Sequence, residues 1–389
     1  MSKVFFEVRG EKIYYELPSE SEIEQNQQVS DNRLVILLNN KCNFNCIYCY
    51  SAMGRKQPNP ELKLSDIKPS IDYICSIQEQ KDNGCIQVSF YGGGEPFVSR
   101  GVLKETIEYI KERAKNIRSD IKIMTNGSLL RSDDLQWLKD NDITLVFSFE
   151  IFEDIQKEQR GLYSIVDKNI KMVDSAGIKY RLWSVVTPRN VNRLGELLDV
   201  VHDNYPNVQR VNIELVVSDE CSFELQDNFL KAFFVAKRKA DALGIAILNS
   251  RIGCFDYPKA RHCTPELCIA FDGSYTICHT TASNPSIKDM FDFGKDLDSF
   301  IQNKDKVSSV IRRSTINNCE NCIAKSYCGG GCIYANLTSS NIVVQSICRF
   351  IINSVKLQIL MKVNPSLFNQ YLDSNLSFDE FTNNAYDDL

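Results

Sequence analysis

Apolar runs rich in β-branched and aromatic residues recur along the first two thirds of the chain. They are RLVILL at 33–38, CIQVSFY at 85–91, IKIMT at 121–125, ITLVFSF at 143–149, IKYRLWSVV at 178–186 and VQRVNIELVV at 208–217. Between most of them lie stretches with helical spacing, such as VLKETIEYIKERAKNI and LGELLDVVHDNY. Strands alternating with helices imply βαβ units and a parallel sheet with right-handed crossovers. Six such units predict an α/β fold built as a partial (β/α)6 TIM-like barrel; a doubly wound open sheet is the competing arrangement. In either, chemistry collects at the carboxyl ends of the strands.

Before this cadence, VFFEV and KIYYEL around Arg9-Gly10 read as a hairpin, and the polar residues 19–32 as a linker. After it, an amphipathic helix is expected near 224–243, and then the pattern breaks. The predicted division is a hairpin and linker at 1–32, a core domain at 33–245, a loop-rich domain at 246–350 and a C-terminal helix and tail at 351–389. The late segment ICRFIINSVKLQILMKV is interrupted by Arg349, Asn353, Lys356 and Gln358, which makes it an amphipathic core helix rather than a membrane span.

Composition narrows the picture only slightly. A net charge of −5 argues against a nucleic-acid footprint, which would be basic. The polar start MSKVFFEVRGEKIYYE does not resemble a signal peptide, so a cytoplasmic protein with no membrane partner is expected. The fifteen cysteines change more. In a reducing compartment such a number points to metal ligation or catalysis rather than disulfides. Cys75 and Cys85 sit within apolar patterns and read as small buried hydrophobes; Cys221 carries no clear signal.

The rest are clustered. KCNFNCIYCY places Cys42, Cys46 and Cys49 at C-x3-C-x2-C just after the first core strand. CENCIAKSYCGGGC places Cys319, Cys322, Cys328 and Cys332 at C-x2-C-x5-C-x3-C. Chance would yield the first about 0.02 times and the second about 0.001 times in a chain this rich in cysteine. Zinc is the ordinary structural reading of C-x2-C pairs, and iron–sulfur clusters are its rival. Three thiols in one loop hold three irons of a four-iron cubane and leave the fourth open, much as a catalytic zinc keeps a vacant position. YGGGEP at 91–96 follows the second strand, TNG at 125–127 the third, and Ser148 and Glu150 close the fourth. All four features fall on one rim.

On these residues the chain resembles the radical S-adenosylmethionine (SAM) enzymes, and within them the branch with a C-terminal SPASM domain. CNFNCIYC matches the C-x3-C-x2-C signature. Cys263-x9-Gly273-x4-Cys278, then the four cysteines above, then Cys348 match the seven-cysteine SPASM pattern, so the likeness covers roughly 33–350. The resemblance implies three 4Fe–4S clusters, one that binds SAM and two auxiliary. It implies reductive cleavage of SAM to a 5′-deoxyadenosyl radical that takes hydrogen from a substrate. It also implies a flavodoxin- or ferredoxin-type electron donor. By motif, Gly93, Gly94 and Glu95 resemble the turn that meets the SAM amino group. Ser148 and Arg160 match positions at the ribose and carboxylate, Tyr48 the position whose backbone meets the adenine, and Asn126 is a further contact or a capping residue. A guanidinium suits a carboxylate through paired hydrogen bonds. Cys319, Cys322, Cys328 and Cys348 would hold the outer auxiliary cluster, and Cys263, Cys278 and Cys332 three irons of the inner one. Cys254 is the first choice for the inner fourth ligand, with Cys268 or an open iron as alternatives.

Two departures bear on function. Sulfatase-maturating relatives carry an aspartate base where this chain has His279, and SFEI at 148–151 stands where relatives usually read SLDG. The expected function is maturation of a ribosomally made precursor peptide by a carbon–carbon or thioether cross-link or a related change, with His279 as candidate base. Formylglycine formation on a sulfatase and a non-enzymatic iron–sulfur or zinc module are the alternatives. The roughly thirty residues before the first core strand are too few for a winged-helix leader-recognition domain. A leader would therefore dock elsewhere or on a separate leader-binding protein.

Overall fold

The computed structural model describes residues 3–26, 31–51, 60–218, 220–259, 266–284, 286–310, 319 and 322–382. Strands β1 (Lys3–Val8) and β2 (Glu11–Glu16) pair antiparallel, with Val8 opposite Glu11. Arg9 and Gly10 turn the chain at φ of 50° and 81°, the left-handed geometry that a two-residue hairpin loop requires. Phe6, Val8 and Ile13 bury one face of this hairpin.

The polar stretch after it is not all linker: Glu20–Asn26 is helical. Ser19 accepts from Glu22 N at 3.3 Å while its own N–H donates to the Glu22 carboxylate at 2.7 Å. This reciprocal capping box starts a helix where composition suggests none.

The six expected units are all present. β3 (Arg33–Ile36), β4 (Cys85–Phe90), β5 (Arg118–Thr125), β6 (Ile143–Ser148), β7 (Tyr180–Val186) and β8 (Val211–Leu215) are joined by parallel neighbour-to-neighbour pairings. The connections carry the helices Leu64–Gln78, Arg100–Arg113, Asp134–Asp140, Tyr163–Ser175 and Leu194–Asn204, and Phe223–Leu243 follows β8. Alternation sets the layers. Tyr180, Leu182 and Val186 of β7 are buried in the main core, whereas Arg181, Trp183 and Val185 are half-buried on the opposite face. The result is a mixed α/β structure with the parallel sheet of a partial TIM-like barrel.

Further strands extend this sheet at both ends. β9 (Ile247–Leu248) adds beside β8. β10 (Leu267–Ile269) lies parallel to β3, Cys268 opposite Val35, and β11 (Tyr275–Thr276) pairs back on β10. The cysteine-rich region therefore contributes strands to the same sheet as the core. On the side away from the helices, Val35, Leu37, Cys268, Ala270, Phe271 and Ala282 form a second small apolar cluster.

The late apolar segment forms the helix Asn341–Val363. It is the one helix among the described residues long and apolar enough to cross a membrane, and 72% of its most apolar stretch is buried in the protein. Arg349 bridges Asp227 and Asp379 from it, and Asn353 donates to Asp379 at 3.0 Å. Gln358 likewise donates to Ile252 O at 3.1 Å, so three of the four polar interruptions engage groups inside the structure.

Candidate functional site

Four loops at the carboxyl ends of β3 to β6 meet on one rim, held by hydrogen bonds that few of the motif residues make on their own. The first link joins the cysteine loop to the glycine turn. Gly94 N donates to Asn39 O at 2.9 Å and Glu95 N to Lys41 O at 2.8 Å. Asn39 reinforces the junction: its amide donates to Glu95 O at 3.2 Å and Ser99 Oγ at 2.7 Å, and it accepts from Lys41 N at 2.8 Å. The backbones approach so closely that a Cβ on Gly93 would lie 2.3 Å from Asn39 O, and one on Gly94 1.9 Å from Lys41 O. Gly93 also takes φ of 66°. Only glycine fits both demands.

Glu95 is buried and turned into the protein. Its carboxylate accepts from Thr125 Oγ1 at 2.7 Å, Asn126 N at 2.7 Å and Phe97 N at 3.2 Å. Burial raises its pKa, and these donors oppose the rise. Glu95 therefore ties the glycine turn to the TNG loop. From that loop Asn126 donates to Asn43 Oδ1 at 2.9 Å and lies 4.0 Å from Cys42 Sγ, while Asn43 donates to Ser128 Oγ at 2.8 Å. Phe44, buried, gives its N–H to Cys42 Sγ at 3.4 Å.

The fourth link is electrostatic. Glu150, fully buried, accepts from Arg160 Nε at 2.6 Å, Ser184 Oγ at 2.9 Å, Val185 N at 2.8 Å and the Tyr48 hydroxyl. The Arg160 guanidinium lies over the Tyr48 ring at 5.0 Å and reaches Cys46 Sγ at 3.7 Å. Burial would lower the Arg160 pKa, but Tyr48 and Glu150 raise it further, so the side chain stays charged. Burial pushes the Cys46 thiol up, and Arg160 pulls it back. Ile151 follows at φ of 70°, fully buried. It holds the left-handed conformation that the glycine of SLDG would adopt without strain. Removing one partner of a buried ion pair costs about 3–5 kcal/mol. Glu150→Gln, which keeps the shape and removes the charge, is expected to lower unfolding stability by roughly that amount in urea titration. A loss below about 1 kcal/mol would mean Arg160 is neutralised by something else.

The second group of cysteines converges below Tyr50. Cys278, pushed up to about 11 by burial, feels Cys332 as its nearest thiol influence. Cys328, pushed up to about 12 by burial, feels Cys348, Cys322 and Cys254, and Cys322 feels Cys319. Gly329, Gly330 and Gly331 all take positive φ, which turns the chain between Cys328 and Cys332. Cys254, expected with Cys278 and Cys332, is within electrostatic reach of Cys328, and Lys259 Nζ donates to its sulfur at 3.3 Å. Cys268, fully buried on β10, lies within reach of Cys278. Cys263 falls outside the described residues. Of the two cysteines expected as buried hydrophobes, Cys75 is buried and Cys85 half-buried; Cys221, which carried no signal, is buried.

His279 sits between the two groups. Its Nδ1 is 3.4 Å from Glu266, its ring meets Tyr91 edge-on at 4.3 Å, and Arg33 spans Glu266 at 2.9 Å and the Tyr91 hydroxyl at 2.9 Å. Ser148, half-buried, closes β6 opposite Trp183.

The donors fit an iron–sulfur cluster held by three thiolates. Cys42 and Cys46 each have N–H groups directed at sulfur, as thiolate ligands require. Asn40, two residues before Cys42, is wholly buried with both amide atoms unpartnered among the described residues, a polar vacancy that calls for an additional group. Asn39 and Ser184 hold the rim together without belonging to any motif, and Asn43 and Tyr91 do so from within the motifs.

Comparison with known proteins agrees with this geometry. Residues 36–201 match the family model described as Radical SAM superfamily. An uncharacterised protein of Methanocaldococcus jannaschii is 27% identical over 170 residues, 42% of this chain and 56% of that one. The radical SAM cyclopropyl synthase TigE of Paramaledivibacter caminithermalis is 28% identical over 138 residues, 33% of this chain and 28% of that one. The chain thus spans 56% and 28% of the length of these two relatives. Among solved structures, native anSMEcpe with bound AdoMet superposes with a TM-score of 0.69 over 85% of this chain and 99% of that one, at 17% identity. Streptococcus suis SuiB bound to precursor peptide SuiA superposes with a TM-score of 0.60 over 83% of this chain and 76% of that one, also at 17% identity. Residues 36–201 carry the match to the Radical SAM superfamily, and over most of its length the chain shares the fold of anSMEcpe and SuiB.

Proposed function

We propose that this enzyme cleaves SAM reductively and uses the radical to abstract hydrogen from a peptide, installing a carbon–carbon or thioether cross-link or a related change. The observation that carries the reading is the three-thiol loop clasped at Asn39 and Lys41 by the glycine turn and flanked by a charged, buried Arg160. Cys42, Cys46 and Cys49 would hold the SAM-binding cluster. When bound there, a 4Fe–4S cluster supplies the electron that splits the SAM sulfonium into methionine and a 5′-deoxyadenosyl radical.

The chain's own residues do the positioning. Gly93 and Gly94 let the turn pack directly on the backbone of Asn39 and Lys41, which sets it beside the cysteine loop. Glu150 holds Arg160 by Nε, which leaves the guanidinium fork for a carboxylate. Tyr48 and Phe44 keep water from the cysteine loop, which tunes a cluster's potential. Cys319, Cys322, Cys328 and Cys348 would hold one auxiliary cluster; Cys278 and Cys332, with Cys263, would contribute to the other. A flavodoxin- or ferredoxin-type donor would supply the electron.

Anaerobically reconstituted protein, reduced with dithionite and given SAM, is expected to release 5′-deoxyadenosine measurable by liquid chromatography and mass spectrometry. No release above a protein-free control rejects the proposal. Formylglycine formation is the second reading, favoured by the length of chain that superposes on anSMEcpe. A short peptide with a sulfatase motif separates the two: an aldehyde product on it, with no change to precursor peptides encoded near this gene, selects formylglycine formation.

A further inference from the structure

Strands β7 and β8 bring two arginines side by side on the sheet face turned away from the helices. Leu182 pairs with Val211, and Leu182 N donates to Arg210 O at 3.0 Å. Arg181 and Arg210 are therefore register neighbours, about 5 Å apart at the backbone. Both are half-buried. Like charges directly opposite on a sheet repel unless an anion sits between them.

No carboxylate of the described residues sits between them, and Glu214 acts on Arg210 without a direct ion pair. Among the described residues, neither arginine makes an ion pair; Arg210 Nε donates to the neutral Asn212 Oδ1 at 3.0 Å. Glu214 lies on the same strand, but Ser250 N, Ser250 Oγ and Asn249 Nδ2 engage its carboxylate at 2.8, 2.8 and 3.3 Å. Burial raises the Glu214 pKa, and Ser250, Arg251 and Arg210 oppose the rise. Arg251 stands near Glu214 and adds a third positive group. Burial, with Arg181 second, lowers the Arg210 pKa. Other cations on this face are paired, Arg33 with Glu266 at 2.9 Å and Lys122 with Asp120 at 2.5 Å. The unbalanced charge is local to β7 and β8.

Its place in the fold relates it to the rim. Trp183 pairs with Ser148, the last residue of β6. Arg181 is two residues earlier on the same face, one side-chain layer or about 6.6 Å beneath it. A substrate reaching the rim over this face would pass the two guanidinium groups.

We propose that Arg181 and Arg210, one layer beneath Ser148 and toward the amino ends of β7 and β8, form a carboxylate-binding subsite that grips an acidic group of the peptide substrate. This rests on the reading that the substrate is a peptide. Two guanidinium forks can each give paired hydrogen bonds to a carboxylate, and a partly desolvated site strengthens them. The carboxylate belongs either to an Asp or Glu side chain or to the peptide's C-terminus.

Three fluorescent eight-residue peptides of Gly, Ser and Ala test it on the full-length reconstituted protein by anisotropy. One carries a central Glu and an amidated end, one a free C-terminus without acidic side chains, and one no carboxylate. At least one carboxylate peptide is expected to bind about 10-fold more tightly than the neutral one, and which one identifies the source. The preference should fall to within about 2-fold in Arg181→Gln and Arg210→Gln, persist largely in Arg181→Lys, and shrink in 1 M salt. Equal binding of all three peptides by the wild type, a preference that salt leaves unchanged, or one undiminished in both glutamine variants overturns the proposal. Wild-type SAM cleavage without peptide is measured in parallel. Its absence would reject the radical reading alone, so the two failures are distinguishable.

Discussion

Replacing any one of Cys42, Cys46 or Cys49 by alanine is expected to abolish 5′-deoxyadenosine formation while most of the protein's iron stays bound. The argument is one of ligand count. Three thiolates are the minimum that holds a cubane with one iron open, so no spare ligand exists in the loop. Cys46 loses most. Its sulfur sits in the same network as Arg160, Glu150 and Tyr48, so its removal also leaves a charged guanidinium without one of its neighbours. The C-terminal cysteines lie on other elements, on the helices Lys325–Cys328 and Asn341–Val363 and at the start of Ile333–Thr338. The clusters proposed for them should stay in place. Iron analysis would then fall from about twelve to about eight atoms per chain. Undiminished SAM cleavage in any of the three variants would refute the assignment. Loss of nearly all iron would show that the two regions assemble together.

Gly94→Ala carries the second large effect. A methyl group there would stand 1.9 Å from Lys41 O and 2.3 Å from Asn39 Oδ1, both inside contact distance, and the nearer atom is backbone that cannot swing aside. The turn must lift off the cysteine loop and break the Gly94–Asn39 and Glu95–Lys41 hydrogen bonds. Each buried bond lost costs about 1–3 kcal/mol. Urea unfolding should show a loss of roughly 2–6 kcal/mol, and 5′-deoxyadenosine formation should fall to background. Gly92→Ala is the control. At φ of 89° it is strained, but its Cβ would meet only the side chains of Leu37 and Tyr50 at 3.2–3.4 Å. It should cost about 1–2 kcal/mol and retain measurable activity. Similar activity in both variants would mean the close approach at Gly94 does not shape the site.

Much of this was legible in the amino-acid order because the relevant signals are local. Each core strand is a compact apolar run, and each rim residue follows a strand end within a few positions. Spacing alone brings Cys42, Cys46 and Cys49 together. What escaped depends on contacts between distant segments. Leu267–Ile269 is three residues long within a cysteine-rich stretch, and nothing in LCI distinguishes a strand that will pair with β3. Asn39 looks like any loop asparagine until its amide is seen bridging Glu95 and Ser99. Glu20–Asn26 was concealed by its polarity, although the Ser19–Glu22 capping box was there to be read. Cys254 was placed by its order in a motif, whereas the fold brings it toward Cys328. The pair of Arg181 and Arg210 is also non-local, since their adjacency follows from a strand register that sequence spacing does not encode.

The parallel pairing of β10 with β3 has an implication for how the molecule can be divided. A fragment ending near residue 245 would strip the partner from β3, leaving Leu34 to Ile36 as a raw border with open backbone groups and Val35 and Leu37 bare on one side. Such borders recruit other chains. The N-terminal part would then be expected to clump when made alone, and the cysteine-rich region serves as its selvedge.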